Sequence, residues 1–239
     1  DNEGDILLGL VDAGAGDVGL IAERSILDNN GAARNVRADA LLMVADAQVN
    51  VDGSIAALTG NSNGLIGQSD TGNGTPAANV NALNILVNTL AAQSAGGIHI
   101  LAENSLTVAF TGNISVEQVN FNSTTATIAP VTLSDLTTTQ NGDIKLQLTA
   151  GSVTLNDGAD ADDVTVSAGG SGNVLIQTIA ANGDIIVNGN NDAANISSGT
   201  GHITLNAGDD IDLKSNIATT GSGTVYLLAG NRNADGISG

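Results

Sequence analysis

Residues Gly142–Gly158, "GDIKLQLTAGSVTLNDG", decide how the whole chain is read. Ile144, Leu146 and Leu148 alternate with Lys145 and Gln147; after a small-residue corner, Val153 and Leu155 flank Thr154. Period two gives each strand one apolar and one polar face. Strands this short cannot stand alone, so each needs a partner from another copy of the same unit. Copies are plentiful. A Gly-polar-Ile/Val step recurs at Gly4, Gly16, Gly112, Gly142, Gly172, Gly183, Gly201 and Gly223, with "GGI" at Gly96 as a variant. A second apolar pair follows behind Ala in "AERSIL" from Ala22, "AENSLTV" from Ala102 and "AGDDIDL" from Ala207.

Short strands, glycine corners and starts roughly 20 to 30 residues apart predict an all-β parallel β-solenoid. At roughly 20 to 24 residues per coil, 239 residues give about ten coils, and stacking at ~4.8 Å makes a rod ~50 Å long. Glycine and asparagine at the corners suit bends that need left-handed backbone, and the many Asn side chains suit amide ladders along the rod.

Composition agrees. Hydrophobic residues are 41% of the chain, but the only aromatic side chains are Phe110, Phe121 and Tyr226. A core of Ile, Val, Leu and Ala fits a narrow interior of stacked β-branched residues. The balance of 25 acidic to 6 basic residues, net −19, speaks against nucleic acid and anionic membrane surfaces as partners, since phosphate binding needs clustered Lys and Arg. Arg24, Arg34 and Arg37 read as a solvated face. With no cysteine, the chain suits the cytosol or a bacterial exported protein stabilised by its fold. No apolar run approaches the ~18 residues of a membrane-spanning helix, so no membrane insertion is expected.

Two stretches depart from the repeat. Gly60–Asn81, "GNSNGLIGQSDTGNGTPAANVN", reads as a polar loop leaving the rod. In Asn81–Gly97, Leu83, Leu86, Val87, Leu90 and Ala91 would make a helical face, but Leu83, Ile85 and Val87 equally make a strand. A strand is expected, because a helix would interrupt the stack.

The repeats "GDIKLQLTAGSVTLNDG" from Gly142, "GHITLNAGDDIDLKSN" from Gly201 and "GGIHILAENSLTVAF" from Gly96 resemble those of filamentous haemagglutinin-like bacterial exoproteins. The resemblance spreads over most of the chain. It implies a right-handed parallel β-helix and a place on the bacterial surface or outside the cell, among adhesins and biofilm proteins. With repeats running from Gly4 to the carboxy-terminal "GTVYLLAG", the expectation is one β-solenoid domain, 1–239. It is read as a segment of a longer chain or filament whose edges meet another coil head to tail.

Chemistry is sparsely signalled. His99 and His202 fall at opposite phases of the alternation and read as tolerated surface or corner residues. Asp157, Asp160, Asp162 and Asp163 in "NDGADADD" are the calcium candidates, with Asp209, Asp210 and Asp212 a second acidic turn. Neither turn has the EF-hand spacing and the calcium-roll nonapeptide is absent, so solvated turns are the leading reading and no cofactor is required. A polysaccharide lyase or hydrolase is the enzymatic alternative. Its sites need paired carboxylates in a groove with aromatics to stack sugar rings, and the chain has no Trp and one Tyr. The sequence therefore points to a non-enzymatic structural rod of a surface adhesin or extracellular filament. A calcium-stabilised β-roll matrix protein is a further alternative, and a host or neighbouring-cell surface is a candidate partner.

Overall fold

A strand apolar on one side is best satisfied when an identical strand lies directly above it, since like side chains then stack into continuous columns. The computed structural model follows that rule over the residues it describes: 4–49, 55–57, 63–69, 81–112, 114–158, 164–188 and 195–230. They form a parallel β-helix with two main sheets and two small hairpins.

Coil 1 comprises β1 (Ile6–Leu8), β2 (Val11–Asp12) and β3 (Val18–Ile21). Coil 2 comprises β4 (Ile26–Asp28), β5 (Val36–Arg37) and β6 (Ala40–Val44). A hairpin of β7 (Gln48–Val49) and β8 (Ile55–Ala57) precedes coil 3, which holds β9 (Leu65–Ile66), β10 (Leu83–Leu86) and β11 (Thr89–Ser94). Coil 4 has β12 (Gly97–Ala102), β13 (Leu106–Val108), a second hairpin of β14 (Ile114–Val119) and β15 (Thr125–Val131), and then β16 (Leu136–Thr138). Coil 5 contains β17 (Asp143–Leu148), β18 (Val153–Asn156) and β19 (Val164–Ala168). Coil 6 contains β20 (Val174–Thr178), β21 (Ile185–Asn188) and β22 (Asn195–Ser198). Coil 7 contains β23 (Ile203–Asn206), β24 (Ile211–Leu213) and β25 (Ile217–Thr219), and β26 (Val225–Leu228) opens coil 8.

The first sheet stacks β1, β4, β9, β12, β17, β20, β23 and β26, with β2, β5 and β10 joined to it beside that path; the second carries β3, β6 and β11 of coils 1–3 and the two later strands of coils 4–7. Eight levels are thus described where the spacing predicted about ten. Two effects reduce the count. Gly16 and Gly183 start second-sheet strands of a coil already begun, and the hairpins lengthen the coils that carry them. Stacked partners stand 20 residues apart between Asp5 and Ser25, 30 between Gln147 and Gln177 and 22 between His202 and Thr224. The separation grows to 40 between Ser25 and Leu65 and 47 between Ser105 and Ser152, where a hairpin intervenes.

Inside, Ile26, Ile66, Ile98, Ile144, Val174 and Ile203 form one aliphatic column, and Ile100, Leu146, Ile176 and Leu205 another. Each such buried side chain contributes roughly 1.5–3 kcal/mol. Leu83, Ile85 and Val87 all lie in this core, so the strand reading of Asn81–Gly97 holds over its described residues. The aromatic side chains stay out of it: Phe110, Phe121 and Tyr226 are all exposed.

Two features differ from the sequence reading. Within the stretch expected to leave the rod, Leu65–Ile66 returns to it as β9, pairing with Ile26 on one side and Gly97–Ile98 on the other. The residues at 70–80 lie outside the described ones. Second, β6 is buried on both faces. Leu41 and Met43 face the main core, and Ala40, Leu42 and Val44 form a smaller outer cluster with Ala47 and Ile114. The start of the second hairpin therefore covers the outer face of β6, and the unbroken apolar run "ALLMVA" is what a strand covered on both sides requires.

Candidate functional site

The repeated Gly-polar-Ile/Val step builds two columns at the corner where each coil enters the first sheet. The first is made of glycines. A Cβ on Gly142 would lie 2.4 Å from the Gly96 carbonyl carbon, one on Gly172 2.1 Å from Gly142 O, one on Gly201 2.0 Å from Gly172 O, and one on Gly223 1.9 Å from Gly201 O. The backbone of the coil beneath occupies the place of a side chain. None of these four glycines has a left-handed φ, so close approach rather than bend geometry demands glycine here. Left-handed glycines occur elsewhere, as at Gly14 and Gly151.

The polar residue of the step makes the second column. Asp143 Oδ1 accepts from Asn173 N at 2.7 Å and from its Nδ2 at 3.1 Å, Asn173 Oδ1 accepts from His202 N at 2.9 Å, and His202 Nδ1 accepts from Thr224 N at 3.1 Å. Each side chain receives the N–H that opens the next coil. Lower in the rod Asp5 Oδ1 accepts from Ser25 N at 2.9 Å and Ser25 Oγ from Leu65 N at 3.1 Å. The polar position thus uses Asp, Asn, His or Ser as an acceptor, while Leu65 and Gly97 occupy it in coils 3 and 4 without one.

Hydroxyls fix the same corner from the second sheet. Ser94 Oγ donates to Gly64 O at 2.6 Å, Thr138 Oγ1 to Gly142 O at 2.7 Å and Ser198 Oγ to Gly172 O at 2.7 Å. Amide ladders also run along the axis. Gln147 Nε2 donates to Gln177 Oε1 at 2.6 Å with both side chains buried, and Asn188 Nδ2 donates to Asn156 Oδ1 at 3.0 Å. Arg34 of coil 2 reaches across to Glu103 of coil 4 through two hydrogen bonds, Nε to Oε1 at 3.0 Å and Nη2 to Oε2 at 2.5 Å. The carboxylate hydrogen bond raises the Arg34 pKa above its ordinary value, against a lowering by burial.

Asp160, Asp162 and Asp163 lie outside the described residues, and Asp157 is half-buried at the carboxy end of β18. Among the described residues no group of three or more His, Cys, Asp or Glu is placed to hold a metal ion. The two histidines are in different surroundings: His202 sits exposed in the polar column, whereas His99 is buried on β12. His99 lines a recess of ≈450 Å³ with Leu65, Gln68, Ser69, Asn81, Gly96, Asn141 and Asp143. The recess forms where the polar column carries Gly97 in place of a side chain, and a Cβ there would lie 3.2 Å from His99 Nε2. Sequence reasoning did not assemble it, because its lining comes from three different coils. The "GGI" variant at Gly96 was its one sequence signal.

Among the described residues no helix is long and apolar enough to cross a membrane. No protein-family model, curated protein or solved structure matches the chain. The geometry of the columns carries the functional argument alone.

Proposed function

We propose that the chain is the structural rod of a bacterial surface adhesin or extracellular filament, self-associating end to end and without catalytic activity. The observation that supports this reading is the uninterrupted register of the first sheet through all eight levels, ending on β26, where Val225, Tyr226 and Leu227 stand exposed. Every resource visible in the repeat is spent on stacking one coil on the next. Glycines let backbones approach, acceptor side chains cap the entering N–H groups, and aliphatic columns fill the narrow interior. A net charge of −19 keeps such rods apart laterally while leaving the axial edges as the places of contact.

Sedimentation velocity over a concentration series tests the association: species larger than monomer should grow with concentration, and a monomer at every concentration would contradict it. Antibody labelling of intact producing cells tests the location, with surface signal expected and signal only after lysis contradicting it. The His99 recess is where the glycan-active alternative is tested, and there Asp143 Oδ1 is already committed to two hydrogen bonds from Asn173. Release of reducing ends or unsaturated uronates from acidic glycans, abolished by His99→Ala, would establish that alternative.

A further inference from the structure

The two end strands of the first sheet carry complementary versions of the same corner. Level eight ends with Gly223-Thr224-Val225, and level one begins with Gly4-Asp5-Ile6. We propose that the edge of β26 that no described strand pairs is completed by β1 of a second copy of this chain, in the register Ile6 over Val225, Leu7 over Tyr226 and Leu8 over Leu227. The inference rests on the end-to-end reading above and adds which edges meet and how they align.

Three requirements of the β26 edge lead there. A glycine over Gly223 would repeat the two steps beneath it, where a Cβ would fall 2.0 Å from the Gly172 carbonyl oxygen and 1.9 Å from that of Gly201. Level one presents Gly4 at that position, whereas level two presents Arg24. The entering N–H also needs an acceptor. His202 Nδ1 lies 3.1 Å from the Thr224 N and 2.8 Å from the Thr224 hydroxyl, whose oxygen has two lone pairs. Thr224 Oγ1 therefore keeps a lone pair for the Asp5 N–H of the next copy, as Ser25 Oγ accepts from Leu65 N within the rod.

The third requirement is apolar continuity. Val225 and Leu227, each 43% exposed, end two columns that are fully buried one level below at Ile203 and Leu205. Ile6 and Leu8 would continue them. Leu7 at 50% exposure and Tyr226 at 45% fall on the outward phase, side by side in this register.

Because the chain has no cysteine, single-cysteine versions of the full chain read the register directly. In-register parallel strands place Cα atoms ~4.8 Å apart, within the disulfide window of ~4.4–6.8 Å. Leu7→Cys and Tyr226→Cys chains, mixed and oxidised, should give a disulfide dimer that neither gives alone, while Leu7→Cys mixed with Leu228→Cys should remain monomeric on a non-reducing gel. A dimer from Tyr226→Cys alone, or from the Leu7/Leu228 pair, would overturn the register while leaving end-to-end association intact. Sedimentation of the unsubstituted chain separates the two claims. Association without the Leu7–Tyr226 link overturns only the inference, and no association overturns both.

Discussion

Gly172→Ala places a methyl group 2.1 Å from the Gly142 carbonyl oxygen and 2.8 Å from its carbon, about 1.3 Å inside the 3.4 Å of an ordinary contact. The neighbour is backbone, held on both sides by its own ladder, so neither partner can swing away. Opening the step by that amount stretches the Ile144 N–H to Asn173 O bond from 2.8 Å and the Asn173 N–H to Asp143 bond from 2.7 Å beyond hydrogen-bonding range. Two such bonds at about 1 kcal/mol each, with the 1–3 kcal/mol typical of overpacking, give a destabilisation of about 3–5 kcal/mol. For a chain of 239 residues that lowers Tm by about 6–20 °C. Thermal unfolding followed by circular dichroism measures it, and two other glycines make the comparison decisive. Gly9→Ala meets open space with no left-handed φ and should be neutral or stabilising by up to about 1 kcal/mol. Gly14→Ala also meets open space but at φ +62°, and should cost about 1–2 kcal/mol. If Gly172→Ala proved as mild as Gly9→Ala, the close-approach argument would be wrong. If Gly14→Ala proved the more damaging, bend geometry would be the dominant demand on glycine after all.

Asn173→Ala removes the acceptor of the His202 N–H and the donor to Asp143, and should cost about 1–2 kcal/mol in the same melt. Gln177→Ala takes away the acceptor 2.6 Å from buried Gln147 Nε2; a double-mutant cycle with Gln147→Ala should show coupling of about 1 kcal/mol, and additivity would dismiss the ladder. Arg34→Ala loses a half-exposed ion pair and should cost at most about 1 kcal/mol, shrinking with added salt. Because its folded pKa is raised, the Arg34 contribution is present below the ordinary guanidinium pKa and is lost only as pH rises through the raised value, so the stability difference between wild type and Arg34→Ala in chemical denaturation should be the same at neutral and at mildly alkaline pH. Shortening the screening length from ~30 to ~3 Å, between about 0.01 and 1 M salt, should strengthen association of chains carrying −19; weaker sedimenting complexes at high salt would mean that charge attraction holds the ends together.

The strands were legible because alternation is a local property. Ile144-Lys145-Leu146 announces its two faces without reference to any other coil, whereas at Leu83-Asn84-Ile85 alternation left helix and strand open and continuity of the stack decided for the strand. Coil number was not local. Gly142 and Gly183 begin with the same Gly-Asp-Ile text, yet one opens the first sheet and the other the second. A polar stretch could likewise hide Leu65–Ile66, since two residues suffice for a rung when both neighbours are already in place. The reason for glycine was also hidden, because a missing Cβ required by φ and one required by a carbonyl from the coil beneath look identical in sequence. Of the site, the polar column was visible as a repeated position without its role, and the His99 recess depends on residues from 65 to 143 meeting in space.

Electron cryo-microscopy of the concentrated chain tests the central claim most directly. Eight levels at ~4.8 Å predict continuous fibres about 38 Å per copy, with the strand spacing unbroken across each junction. Isolated rods at every concentration, or fibres whose copies meet side by side, would contradict the account.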